Sequence, residues 1–299
     1  MLRKLLITLV LLGITCGAAG WWLTTPQRLS ETDLAGIEGD AARGETVFWA
    51  AGCASCHAAP GAEGDARLVL SGGLGFATDF GTFFAPNISP DPAHGIGGWS
   101  LADFASAVQK GTSPGGRHYY PAFPYTTYTR AGLTDIADLY AFLHTLPASD
   151  SASKPHDVGF PFNIRRGLGV WKWLFEHPGW VRPAEGDELT RGRYLVEALG
   201  HCGECHTPRN ALGGPDYARW LQGAPTPDGK GKVPALTPDA LDWSKADIAA
   251  YLSTGFTPEY DSAGGEMADV VQNLAHLPQD DLLAIAAYLK ALPPAAATN

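Results

Sequence analysis

The sequence predicts an all-α protein: two tandem helical domains behind a single N-terminal apolar helix. Three observations predict it. The chain opens on a largely apolar run, residues 5–23. One pentapeptide occurs twice, as Cys53-Ala54-Ser55-Cys56-His57 and as Cys202-Gly203-Glu204-Cys205-His206. The stretches after the two copies then repeat each other at a nearly constant offset.

Residues 1–23 are expected to be a signal anchor. As a helix, the run 5–23 would extend roughly 28 Å, about the thickness of a bilayer's hydrocarbon layer. Arg3 and Lys4 place its start on the cytoplasmic side, and Trp21 and Trp22 suit the far interface. The alternative is a cleaved signal peptide with Ala18, Ala19 and Gly20 near the cut. Cys16 reads as a small apolar residue. A lipid anchor there is the lesser alternative, since Gly13-Ile14-Thr15 is a poor lipoprotein context. Residues 24–38 read as a polar tether.

The first domain, 39–147, begins with a helix from the N-cap Asp40 through Phe48. It leads into the pentapeptide, C-x-x-C-H, the attachment pattern of c-type haem. Positions i and i+3 share a helix face, so two thiols can add to the two vinyl groups of one porphyrin. The adjacent histidine then lies under the iron. A redox dithiol would be expected beside a βαβ pattern, and a zinc site beside a second ligand pair. Neither is visible. The two copies predict two covalent haem c groups, held by Cys53, Cys56, Cys202 and Cys205, with His57 and His206 as proximal ligands. Further on, Ser100 should cap a helix over 101–109. A helix over 134–146 carries the apolar stripe Ile136, Leu139, Tyr140 and Leu143, and Pro147 stops it.

The second domain, 187–293, repeats the first. Arg191-Gly192 echoes Arg43-Gly44, and the stretch from Pro234 echoes that from Pro86. Trp243-Ser244, Asp247 and Gly255 match Trp99-Ser100, Asp103 and Gly111 at one offset, 243 − 99 = 144. Asp281 to Leu289 echoes Asp135 to Leu143, and Pro293 echoes Pro147. Between the domains lies a connector, 148–186, with Phe160, Phe162, Trp171, Trp173, Phe175 and Trp180. It reads first as a strap packed on both domains, and second as a platform for a membrane or partner protein. Residues 294–299 are a tail.

Composition narrows the partners. The formal charge is −10 with pI near 5.3, which argues against nucleic acid and permits a basic redox partner. Glycine at 36 and proline at 23 predict loop-rich domains. Four of the five cysteines belong to the pentapeptides, so none remain for a structural disulfide.

A family resemblance follows from particular motifs. The two pentapeptides, Ala85-Pro86-Asn87-Ile88-Ser89-Pro90-Asp91, Gly95-Ile96-Gly97-Gly98-Trp99-Ser100, Tyr120-Pro121-Ala122-Phe123-Pro124-Tyr125 and Thr207-Pro208-Arg209-Asn210 carry it. Over roughly 39–293 the chain resembles the cytochrome c subunits of bacterial membrane-bound alcohol, gluconate and related dehydrogenases. The resemblance implies two class I-type cytochrome c domains and a periplasmic relay from a dehydrogenase subunit to the respiratory chain. The acceptor would be a terminal oxidase or another cytochrome, and the membrane would be engaged through the N-terminal helix. Two departures stand out. Those subunits commonly carry three haems, and they often have methionine where this chain has Phe123.

The distal ligands follow from the repeat. The only methionines are Met1 and Met267, so at most one haem can be His/Met. Met267, in Gly264-Gly265-Glu266-Met267, lies where the family places its axial methionine. The equivalent position, 267 − 144 = 123, is Phe123, which cannot bind iron. His118, in the same loop, is the expected ligand of the first haem, with Tyr119 and Tyr120 beside it. His94 and His156 are weaker candidates, His144 is a helix-surface residue, and His177 and His201 carry no argument. The competing function is a dihaem oxidoreductase or peroxidase with an open haem in the first domain.

Overall fold

A computed structural model describes residues 1–226 and 231–295. Helix α1, Leu2–Leu23, is exposed along its whole length and is long and apolar enough to cross a membrane. The polar segment after it, 24–38, is fastened to the first half. Leu34 is buried, Leu29 N–H donates to Ser106 Oγ at 2.9 Å, and Arg28 pairs with Asp103. One buried leucine and a capped turn suffice to tie the segment to the first half.

In the first half, α2 (Ala41–Ala50) starts at Asp40, whose carboxylate accepts from Arg43 N–H at 2.9 Å. The pentapeptide forms the single turn α3 (Cys53–His57). Helix α4 (Leu101–Lys110) starts in a capping box of Ser100 and Asp103 and ends at Gly111, where φ is +53°. A short turn, α5 (Tyr125–Tyr128), precedes α6 (Leu133–Leu143). That last helix ends three residues before the expected Leu146, with His144 as its C-cap.

Helix α2 crosses α6 at Gly44. A Cβ there would lie 1.9 Å from Asp138 O, so only glycine permits the contact. Arg43 grips the Asp138 carboxylate with Nε and Nη2, at 2.7 and 2.8 Å.

The connector carries α7 (Gly167–Phe175). Its residues bond to both halves. Asn87 Nδ2 donates to the Ser149 and Ser151 carbonyls, and Lys172 Nζ to Gly111 O at 3.0 Å. Trp171 Nε1 donates to Leu212 O at 2.8 Å, and Arg130 Nε to Gly179 O at 2.8 Å.

The second half repeats the order of the first. Helix α8 (Asp187–Tyr194) runs into a π-helical turn and then α9 (Cys202–His206). Helix α10 (Lys245–Thr254) has its own capping box, Ser244 and Asp247, and stops at Gly255 with φ +78°. Helices α11 (Glu266–Leu274) and α12 (Gln279–Ala291) complete it. Gly192 would place a Cβ 1.9 Å from Ala284 O, and Arg191 forks onto Asp281 at 2.8 and 2.7 Å. The Arg-Gly echo thus marks the same helix crossing twice. Buried apolar residues of both halves form one continuous cluster.

Among the described residues the fold departs from all-α in two small antiparallel hairpins. The first pairs β1 (Gly75–Thr78) with β2 (Gly81–Phe84), and the second pairs β3 (Ala224–Pro225) with β4 (Lys232–Val233). Glycine and alternating apolar residues make the first possible, and Asp157 of the connector pairs with Thr82 at its edge. Most of the expected tail, residues 296–299, lies outside the described residues.

Candidate haem-attachment sites

Each pentapeptide follows a residue in the left-handed region: Gly52 at φ +63° and His201 at φ +42°. That turn breaks the preceding helix and starts a new one, which sets the two cysteines of each motif three apart on one turn. None of the four thiols is in a disulfide. His57 Nδ1 donates to Pro86 O at 2.9 Å, and His206 Nδ1 donates to Pro234 O at 2.8 Å. The carbonyl fixes the proton on Nδ1 and leaves Nε2 with its lone pair. Both proline loops are pinned alike, by Ile88 N–H on Leu70 O and by Leu236 N–H on Leu221 O.

Electrostatics suits a neutral donor set. Burial lowers the pKa of His57 and of His206, despite the proline carbonyls that raise it. Burial pushes Cys53 and Cys202 up to about 12. Neutral thiols and a carbonyl-oriented imidazole fit thioether attachment of a haem. Among the described residues no three His, Cys, Asp or Glu side chains are grouped for a bare metal ion.

The loops that follow α4 and α10 are copies. Tyr119 N–H donates to Gly111 O at 2.8 Å, and Ala263 N–H to Gly255 O at 2.7 Å. Ser113 N–H reaches Arg117 O at 2.9 Å, and Thr257 N–H reaches Asp261 O at 2.8 Å. Thr112 bridges to His118 as Phe256 bridges to Ser262. Gly116 and Tyr260 both have positive φ. Every pair differs by 144, and the same spacing carried four residues past Tyr119 and Ala263 sets Phe123 against Met267. Phe123 packs among Tyr119, Tyr125 and Tyr128. Met267 is half-buried in the first turn of α11.

His118 is buried, and its ring is turned toward the end of α1. Nε2 donates to Thr24 O at 3.0 Å, Nδ1 has no partner, and the His118 carbonyl accepts from Arg165 at 2.9 Å. A buried imidazole takes the acceptor it can reach, and Thr24 offers one. The other histidines are placed elsewhere. His156 Nδ1 accepts from Phe84 N–H, His144 Nδ1 meets Tyr140 O, and His276 stacks on Trp49 at 3.7 Å. His177 packs on Tyr217, and His94 lies exposed on its loop.

Each pentapeptide bonds to the opposite half. Asn273 Nδ2, on α11, donates to Ser55 Oγ at 2.5 Å. Glu204 Oε1 accepts from Thr126 Oγ1 at 2.9 Å and Thr127 Oγ1 at 2.8 Å, both on α5. His201 Nε2 and Tyr128 OH both reach Ala51 O, at 3.2 and 3.0 Å. Burial raises the Glu204 pKa, but Arg209 and the two threonines outweigh it and hold it below the usual value. No sequence signal marks this role for Ser55 and Glu204, because both fill positions that C-x-x-C-H leaves free.

A thiol pair on one turn and a histidine oriented by a proline carbonyl, set on helices, define a c-type cytochrome. The family model described as Cytochrome c matches residues 41–147. The chain is 60% identical to a diheme cytochrome c-type protein of Cereibacter sphaeroides, over 98% of this chain and 99% of that one. It is 37% identical to the fructose dehydrogenase cytochrome subunit of Gluconobacter japonicus, over 84% of this chain and 52% of that one. The gluconate 2-dehydrogenase cytochrome c subunit of Pantoea cypripedii is 38% identical, over 84% of this chain and 59% of its own. The chain thus spans between half and three-fifths of those two subunits. It belongs to the c-type cytochrome family, among the dihaem proteins related to dehydrogenase cytochrome subunits.

Proposed function

We propose that the chain carries two haem c groups in tandem domains, 39–147 and 187–293, and relays electrons between them on the periplasmic side of a bacterial inner membrane. Uncleaved α1 anchors it there. Electrons enter from a dehydrogenase subunit and leave to a terminal oxidase or another cytochrome of the respiratory chain. Bound at the pentapeptides, each haem supplies a one-electron iron couple. The chain's own residues do the rest. Cys53, Cys56, Cys202 and Cys205 hold the attachment edges, and His57 and His206 present Nε2. Met267 caps the second site, and His118 closes the first by releasing Thr24.

One observation carries this reading: the free position of each pentapeptide bonds the other half, Ser55 to Asn273 and Glu204 to Thr126 and Thr127. Two attachment turns each tied to the opposite half suit exchange between two centres. Pyridine haemochrome analysis with intact mass tests it. Two haems per chain are expected, and one after Cys202→Ala with Cys205→Ala. A single haem in the natural protein overturns it.

A second reading is favoured by the His118–Thr24 bond and the packing of Phe123. If His118 keeps Thr24, the first haem is open on its distal side and the protein is an oxidoreductase or ligand-binding cytochrome. Carbon monoxide binding by the reduced protein separates the two.

A further inference from the structure

The outward face of α7 is apolar and has no partner in the described residues. Val170, Trp173 and Leu174 lie three and four residues apart, on one side of the helix, and all are exposed, Trp173 to 74%. The loop before it exposes Phe160 to 82%, with Phe162 and Ile164. The opposite side of α7 is fully used: Trp171, Lys172 and Phe175 pack against the two halves. The strap therefore explains one face of this helix and leaves the other unexplained.

That open face is continuous with the end of α1. Gly169 lies so close to Thr24 that a Cβ would stand 2.6 Å from Thr24 O. The Arg166 guanidinium sits 4.1 Å over the Trp21 ring, donates to Trp21 O, and reaches Thr25 Oγ1 at 3.0 Å. His118 adds its bond to Thr24 O. The place where α1 ends is thus fastened to the first turn of α7. An apolar helix crossing a bilayer leaves its tryptophans at the interface, so Trp21 and Trp22 set the depth at which α7 must lie. The charge agrees. In a chain of net charge −10, Arg165 and Arg166 lead directly into α7 and Arg117 lies near Arg165, all three without a carboxylate partner among the described residues.

We propose that the outer face of α7, with the 160–164 loop, lies in the headgroup layer of the phospholipid bilayer that α1 crosses. The proposal rests on α1 being retained as an anchor. A single spanning helix leaves the attached domain free to rotate and tilt. A second apolar contact beside it, flanked by arginines that meet lipid phosphates, fixes which side of the haem domains faces the membrane.

The test uses the full haem-loaded chain in vesicles of equimolar phosphatidylcholine and phosphatidylglycerol. With Cys16→Ala, a nitroxide is placed at Trp173→Cys, at Val170→Cys, or at Tyr260→Cys on an exposed loop as reference. A label at native Cys16 reports α1 itself. Labels at 173 and 170 are expected to collide more with oxygen, which enters lipid, than with a water-soluble nickel complex, and the label at 260 the reverse. Water-like collisions at 173 and 170 with a lipid-like Cys16 overturn the α7 proposal, leave the anchor standing, and point to a protein partner for the face. If the isolated protein lacks residues 1–23, the anchor reading and the α7 proposal that rests on it both fail. Haem content and absorption of each variant confirm that it has folded.

Discussion

Phe123 occupies, in the first half, the position that Met267 occupies in the second. Three pairs of loop contacts share one spacing, from the Gly111–Tyr119 and Gly255–Ala263 bonds to the bridges at His118 and Ser262, and that spacing carried four residues on pairs Phe123 with Met267. A thioether can bind iron and a phenyl ring cannot. Two loops of the same backbone course therefore carry different side chains here, and the two haems should be chemically unequal.

The second haem should respond to Met267. Methionine favours ferrous iron relative to a second nitrogen ligand. Met267→His should keep that haem low-spin and lower its potential by on the order of 100 mV, within the ~0.8 V that axial ligands span. Spectroelectrochemical titration measures it. An unchanged potential would make Met267 a packing residue only.

The first haem should respond to His118. The relay reading expects the natural protein to be low-spin at both haems. His118→Ala then turns one haem high-spin and able to bind carbon monoxide when reduced. A natural protein that already binds carbon monoxide at one haem, unchanged by the substitution, transfers the case to the open-site reading.

Much of the architecture was legible in the sequence. Ser100 forms the cap expected of it, and the residues read only as echoes, Ser244 and the Arg-Gly pairs, mark a second cap and one helix crossing made twice. What the residues did not reveal depends on distant partners. The His118 ring is set by Thr24, ninety-four positions away, and Glu204 by Thr126 and Thr127 on another helix. The polar look of 24–38 hid one buried leucine. Hydrophobic periodicity does not encode which carbonyl a buried imidazole will find.

Gly44 and Gly192 should be intolerant of any side chain. A Cβ at either would meet a backbone carbonyl at 1.9 Å, and neither partner can yield without separating the helices. Gly44→Ala or Gly192→Ala should cost roughly 1–3 kcal/mol, the usual penalty of overpacking, and lower the melting temperature. Gly13→Ala, in open space on α1, should leave it unchanged.

Lys172 should make stability rise with pH. Burial first, then Lys110, lowers its pKa from 10.5 to about 8, against a raising effect of Glu176. The unfolded chain therefore binds the extra proton between about 8 and 10.5, and unfolding grows harder across that window. The gain is at most roughly 3 kcal/mol. Comparing denaturant unfolding of Lys172→Met with the natural protein isolates it. The difference between the two should change from pH 8 to 10.5, and a constant difference would mean that Lys172 is charged and adequately solvated in the fold.

The contact between the halves should depend on Glu204 more than on Ser55. Glu204 accepts two hydroxyl hydrogen bonds and pairs with Arg209, whereas Ser55 accepts one amide bond. Removing the carboxylate leaves Thr126 and Thr127, both buried, without their acceptor. An orphaned buried donor costs about 1–3 kcal/mol. Glu204→Ala should therefore destabilise by roughly 2–4 kcal/mol, and Ser55→Ala by about 1 kcal/mol or less. Glu204→Gln keeps an oxygen for the threonines but loses the ion pair, so it should fall between them. Because the pentapeptide cysteines are untouched, all three variants should retain two haems. The distinguishing measurement is electron exchange between the haems after flash reduction of one of them. If Glu204 locks the two attachment turns together, Glu204→Ala slows that exchange, and Thr126→Ala with Thr127→Ala slows it equally. Combining all three changes then adds little, because they remove the same bonds. Unaltered exchange in a destabilised Glu204→Ala protein would show that the bonds hold the fold but do not set the relation between the two haems.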